Sequence, residues 1–354
     1  MNLLNRIAGI LRPSPPPPPP PPPEPTVDAP PSMVANAETN IRTQIATNYG
    51  PGLAHAYDEY RRLVEALRCE PTITTESLTQ IDSKTPPDVR RLFLRIDVDA
   101  DPWTGVRMAR ELASVGLAGN IFLLHTAPYY GYWVNGTFVR HGWMPAIVRE
   151  LVVAGIEIGL HNDVMGLARV LADPLVAAKA MAEEIRWLQS LGAKIRGTVG
   201  HNSIRGQGAE NSEVFVGRRL MPDELDARRS HLPIELVRED HLSLRYEGTG
   251  AIPRPIDARN LDAIADYIDE SQAASIRDPN WMRTYLLENP LHDWSTDFQV
   301  WAIGAGQWGV AGQAPDGDPR FEWNVDIGRI LEWVKELPIG SSTMIVLHPE
   351  YFRT

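Results

Sequence analysis

This 354-residue sequence predicts an α/β chain whose mainly parallel sheet curls into a closed or nearly closed barrel, preceded by an N-terminal helical extension. Three observations point there. From about residue 88, short apolar runs alternate with stretches of helical periodicity; the helical stretches finish in glycine; several apolar runs finish in Asp or His. An apolar fraction of 43% suffices for a large core, and no apolar run reaches the roughly 18 residues a membrane span needs. The net charge of −11 speaks against a nucleic-acid partner. Cys69 is the single cysteine, so there is no disulfide framework, and a cytoplasmic setting is expected.

The chain divides into residues 1–32, 33–87 and 88–354. In "MNLLNRIAGILRP", Leu3, Leu4, Ile7, Ile10 and Leu11 recur at helical spacing beside Arg6 and Arg12. Two readings stay open for residues 1–12: a peripheral contact with the inner membrane, or a terminus without a role. Pro15 to Pro23 then form a polyproline II spacer. The helical extension holds "AETNIRTQIATNYG" and "GLAHAYDEYRRLVEALRC", the latter with Tyr57, Tyr60, Leu63 and Leu67 three and four apart.

Beyond residue 88 the expected strands are "LFLRIDVD", "GNIFLLH", "IEIGLH", "KIRGTVGH", "HLSLRY", "FQVWAIG" and "TMIVLH". The expected helices between the early ones are "GVRMARELASVG", "MPAIVRELVVAG" and "PLVAAKAMAEEIRWLQSLG". Four strands end in Asp97 and Asp99, His161, His201 and His348, and His125 ends a fifth. Parallel β/α folds build their sites at those strand ends. Like charges as close as Asp97, Asp99 and Asp101 need positive compensation, from Lys or Arg or from a metal. Two or three imidazoles with a carboxylate make a usual set of ligands for Zn²⁺ or a similar divalent ion.

In order along the chain, "IDVD", "AGIEIGLHND", "IRGTVGHNS" and "MIVLHPEY" resemble the motifs of polysaccharide deacetylases of the NodB-homology, carbohydrate esterase 4-like type. The "HNS" and "HPEY" forms are similar to a divergent, WbmS-like branch of surface-polysaccharide biosynthesis proteins. The resemblance covers roughly residues 90 to 354. It implies a distorted (β/α)7 barrel, a divalent metal, and removal of an N-acyl group, most simply acetyl, from an amino sugar. Carried over by motif, Asp97 is the base, Asp99 and His161 are metal ligands, Arg196 orients the base and His348 is the general acid. One departure stands out. Met165 occupies the place of the family's second metal histidine, and a thioether is a poor ligand for such an ion. His201 is the preferred substitute, with Asp163 the alternative.

Tyr129, Tyr130 and Trp133 in "APYYGYWVNG" are expected to stack on the sugar, while Trp281, Trp294, Trp301 and Trp308 suit a core better. Two rival readings have other chemistry. Asp97 and Asp99 could be the DxD of a nucleotide-sugar glycosyltransferase, or the loss of histidine at Met165 could leave an inactive sugar-binding protein.

Overall fold

The computed structural model describes residues 31–49, 55–81, 83–134, 137–201, 209–219, 229–248, 297–303, 307–313 and 319–353. The terminal stripe, the proline spacer, Trp281 and Trp294 lie outside the described residues.

The chain opens with helix α1 (Pro31–Tyr49), strand β1 (His55–Ala56), helix α2 (Tyr57–Cys69) and strand β2 (Ile73–Glu76). The main run follows as β3 (Arg90–Val98), α3 (Pro102–Ser114), β4 (Asn120–Leu124), a hairpin of β5 (Gly131–Val134) and β6 (Thr137–Arg140), and α4 (Met144–Ala154). It continues through β7 (Glu157–Asn162), α5 (Val164–Leu171), α6 (Pro174–Ser190), β8 (Gly197–Gly200) and β9 (Tyr246–Glu247). The last elements are β10 (Phe298–Ile303), β11 (Gln307–Gln313), β12 (Pro319–Val325), α7 (Ile327–Glu336), β13 (Ser342–Leu347) and β14 (Phe352–Arg353).

Among the described residues the main sheet runs β12–β11–β10–β13–β3–β4–β7–β8–β9, parallel from β10 to β9, with β11 and β12 added antiparallel. The parallel part curls into a half-barrel. Strand β2 pairs with the start of β3, so the segment expected to be only helical also joins this sheet.

Period-two alternation explains how β3 works. Leu92, Leu94, Ile96 and Val98 pack into the large core shared with the helices. Phe93, Arg95 and Asp97 point to the other, inner face. There Phe93 joins Phe122, Val199, Tyr246, Met344 and Val346, floored by Leu78 and Ile81. Two glycines make room for rings on this face. A Cβ at Gly159 would strike the Phe122 ring, and one at Gly197 would strike the Tyr246 ring. Below them, the Tyr246 hydroxyl donates to Glu157 (2.7 Å), and so does Ser77.

Helix α2 buries Tyr57, Tyr60, Leu63, Val64 and Leu67 on one face, each large side chain adding roughly 1.5–3 kcal/mol. The Tyr60 hydroxyl donates to the Met108 carbonyl (2.7 Å), fixing α2 on α3. Strand β1 pairs with β14, and His55 stacks on Phe352 with ring centres 5.0 Å apart. Gly155 ends α4 in the left-handed region (φ 75°), as a terminal glycine allows. "HLSLRY" is not one strand: residues Asp240–Leu242 form a 3-10 turn, and only Tyr246 and Glu247 pair with β8.

Candidate metal centre

The inner face changes character toward the C-terminal ends of the strands. One layer above Phe93 lies Arg95, buried, and above it Asp97, also buried. The Arg95 guanidinium grips that carboxylate, with Nε at 2.8 and 2.9 Å from its two oxygens and Nη2 at 2.5 Å from Oδ2. A further Nη1 bond reaches the Gly248 carbonyl at 3.1 Å. Burial alone would raise Asp97, but Arg95 and His161 outweigh it and hold the carboxyl below its usual range. The second carboxylate of the motif meets imidazoles instead. His161 Nε2 lies 3.2 Å from Asp99 Oδ1, and His201 Nε2 and His348 Nε2 lie 3.8 and 3.9 Å from Asp99 Oδ2. Asp101 caps α3, accepting from the Thr104 N–H (3.0 Å) and hydroxyl (2.7 Å), and faces Arg42 of α1 at 3.8 Å. Arg95 thus compensates Asp97, His161 is shared between Asp97 and Asp99, and Asp101 has Arg42 and its helix cap.

Asp99, His161 and His201 each offer a ligand atom, all within 4.8 Å of one another, and together they could hold a metal ion. The arrangement fits such an ion on three counts. A tetrahedral shell with bonds near 2.0–2.1 Å separates its ligand atoms by about 3.3 Å, which the 3.2 Å between His161 Nε2 and Asp99 Oδ1 matches, while His201 Nε2 stands 3.8 Å from the other oxygen of Asp99. His161 Nδ1 lies 3.0 Å from the Val199 carbonyl; a carbonyl only accepts, so Nδ1 carries the hydrogen and Nε2 is turned to the site. Behind His201, Nδ1 faces Asp163 Oδ2 at 3.7 Å, the outer carboxylate that orients many metal-binding imidazoles. Gly166 leaves that carboxylate its space.

Each neighbour has a definite task. The Asn211 side chain donates to the His201 carbonyl (2.6 Å) and accepts from the Met165 N–H (2.8 Å), tying the ends of β7 and β8 together. Met165 itself is buried in the large core. His125 is buried, and its Nε2 accepts the Asp163 N–H at 3.0 Å, so it braces the turn after β7. Burial pushes it down to about 4. At His161 burial also favours the neutral ring, but Asp97 and Asp99 overcome it and raise the ring above its ordinary value. His348 goes the other way: burial lowers it, with Asp99 and Asp97 offsetting only part. Glu350, two residues on, is buried, and burial with Asp99 nearby pushes its carboxyl well above the usual range.

Scanning family models, curated proteins and solved structures returned no match in any of the three. The centre therefore stands on its own geometry.

Against the sequence expectations, the structure brings Asp97, Asp99, His161, His201 and His348 together and leaves four residues elsewhere. Arg196 does not reach Asp97. It precedes β8 at the opposite end of that strand, about 13 Å along the chain from the site end, and lines a cleft with Lys194 and Arg245. Arg95 holds Asp97 in its place. Tyr129 and Tyr130 are buried, not exposed for stacking: the Tyr129 hydroxyl donates to the Val98 carbonyl and accepts from the Leu124 N–H, both at 2.9 Å. Tyr130 packs between Phe138 and Trp187. Trp133 is half-buried against Phe138, ring centres 5.4 Å apart. Trp308 is buried in the core, as expected of it.

Sequence reasoning missed Arg95 and the bracing role of Asp163. The signal for both was parity. Arg95 shares a strand face with Asp97, and Asp163 follows His161 by two.

Proposed function

We propose that the chain is a metal-dependent amidohydrolase that removes an N-acyl group, most simply acetyl, from an amino sugar. The observation that carries the reading is the Asp99–His161–His201 cluster beside an arginine-clamped aspartate, at the strand ends of a curled parallel sheet. The sugar comes from the order of the four motifs, and with it goes the finer reading of the half-barrel as a distorted (β/α)7 barrel. A nitrogen-rich set with one carboxylate suits Zn²⁺ best. The clamp on Asp97 favours this reading over a DxD glycosyltransferase, because Arg95 already neutralises one of the two carboxylates that such a motif would offer a cation.

When bound, a divalent ion would supply Lewis acidity toward the amide carbonyl and make water easier to deprotonate. The chain's own groups do the rest. Asp99, His161 and His201 hold the ion, with His161 and His201 oriented by Val199 and Asp163. Asp97, ionised and fixed by Arg95, accepts the proton of the attacking water. His348 stands one residue past the Leu347–Ile96 pair, beside Asp97 in register. Its lowered value makes the ring neutral at rest, so it must take up a proton before passing one to the leaving amine.

Acetate release from a panel of N-acetylated sugars by Zn²⁺-loaded protein tests the reading. His348→Asn should keep the metal and turn over roughly 10²–10⁴-fold more slowly. Absence of acetate from fully loaded protein across the panel would sink the proposal.

A further inference from the structure

At the end of the sheet away from the metal centre, a cleft of about 780 Å³ opens where β7 and β8 begin. That volume is typical of a small-molecule site. Lys194, Arg196 and Arg245 line it, with Leu117, Ile156 and Ile158 on its apolar side. Among the described lining residues the one carboxylate is Glu157. It is already engaged, because Tyr246 and Ser77 donate to its two oxygens.

The fold gives these cations no acidic partner. Among the described residues, none of the three makes an ion pair or donates a side-chain hydrogen bond. Register sets the two arginines side by side: Gly197 pairs with Tyr246, and the Arg245 N–H donates to the Arg196 carbonyl at 2.6 Å. Neighbouring strands lie roughly 4.8 Å apart, so the two side chains leave adjacent backbones toward the same face. Like charges so placed repel. Lys194, two residues before Arg196, adds a third. The dipole of α6, which ends at Ser190, accounts for a lysine just beyond it. It does not account for two arginines in register on β8 and β9. The chain as a whole carries −11, so this cleft also runs against the charge of the molecule.

Charge and shape narrow the ligand. A carboxylate has one charge and two oxygens, which a single guanidinium fork satisfies. Two forks and an ammonium suit a group with about two charges and three oxygens, as on a phosphate monoester. The concave cleft fits a small molecule better than an extended polyanion, and its apolar side can cover an organic portion. We infer that Lys194, Arg196 and Arg245 form a phosphate site for a phosphorylated small molecule, at the opposite end of the sheet from the metal centre. Such a ligand supplies the negative charge that the fold withholds. The site is independent of the proposed hydrolase, and it gives Arg196 a task that Arg95 leaves open.

The test is calorimetric titration of the full-length protein with inorganic phosphate and with pyrophosphate. Saturable binding of either, with Kd below about 1 mM, is expected. It should weaken about tenfold or more in Arg196→Gln and in Arg245→Gln, and stay unchanged in His161→Ala. Loss in His161→Ala with full affinity in both arginine variants would overturn the inference, placing the anion at the metal centre. No binding of either probe would overturn it as well. Equal displacement by acetate would do so in favour of a carboxylate site, and arginine-dependent retention on phosphatidylserine vesicles without binding of either probe in favour of a membrane face. Arg196→Glu adds a readout that needs no ligand. In phosphate-free buffer it replaces a like-charged pair by an opposite one, so it should unfold at no lower temperature than wild type while losing the probe. A lower midpoint would show that the fold already compensates Arg196, and the inference would fall.

Discussion

Arg95 stands between Phe93 and Asp97 on the inward face of β3, with Arg91 one layer below over the Phe93 ring. Its bond to Asp97 is buried on both sides, with 7% and 2% of the side chains exposed, so removing one partner strands the other. Arg95→Met should therefore cost about 3–5 kcal/mol in denaturant unfolding and raise the Asp97 pKa. Arg196→Ala, at the far end of β8, should leave metal affinity unchanged and stability within about 0.5 kcal/mol. His125 gives the pH signature. Its folded value near 4 lies below the ordinary 6.5, so between those limits the unfolded chain binds more protons than the folded one. Its contribution is complete above about pH 6.5 and is lost as pH falls toward 4, at up to about 1.4 kcal/mol per pH unit. His125→Gln keeps an acceptor for the Asp163 N–H without titrating. It should flatten that part of the stability profile, and an unchanged slope would assign the effect to other groups.

The strands that build the centre were legible because each carries a chemical group one step past its apolar run. Sequence placed β3, β4, β7, β8, β10 and β13, and with them Asp97, Asp99, His161, His201 and His348. Other elements gave weaker signals. The hairpin β5–β6 has only four described residues per strand and apolar residues on both faces, which hides a period of two. Helix α5 begins two residues after β7, with no loop sequence to announce it. Strands β11 and β12 pair antiparallel at the edge, where glycines and charges interrupt the pattern. Arg95 was passed over because a charge inside an apolar run looks like an interruption of the strand rather than the partner of a residue two positions on. The inner face offers an element-scale test. Gly197→Ala places a methyl group inside the Tyr246 ring, so β9 must shift, and overpacking of this kind costs about 1–3 kcal/mol. Gly217→Ala, which meets no neighbour within 4 Å but has a left-handed φ of 83°, is the control for backbone strain alone. Thermal unfolding distinguishes them: packing predicts added loosening of the β8–β9 edge, seen as faster amide exchange there, only in Gly197→Ala.

At the scale of the molecule, charge gathers at one end of the sheet. Asp97, Asp99, Asp101 and Asp163 stand there with Arg95, the imidazoles of His125, His161, His201 and His348, and the N-terminal ends of α3 and α5, whose helix dipoles favour negative charge. A divalent cation among these carboxylates would relieve their mutual repulsion and bind the folded state in preference to the unfolded one. The most direct measurement is elemental analysis of the purified full-length chain, wild type beside His161→Ala, His201→Ala and Asp163→Ala. The account predicts about one divalent ion per chain in the wild type, none in either histidine variant, and affinity reduced roughly 10–100-fold in Asp163→Ala. A wild-type chain that takes up no metal, or full occupancy in His201→Ala, would contradict it.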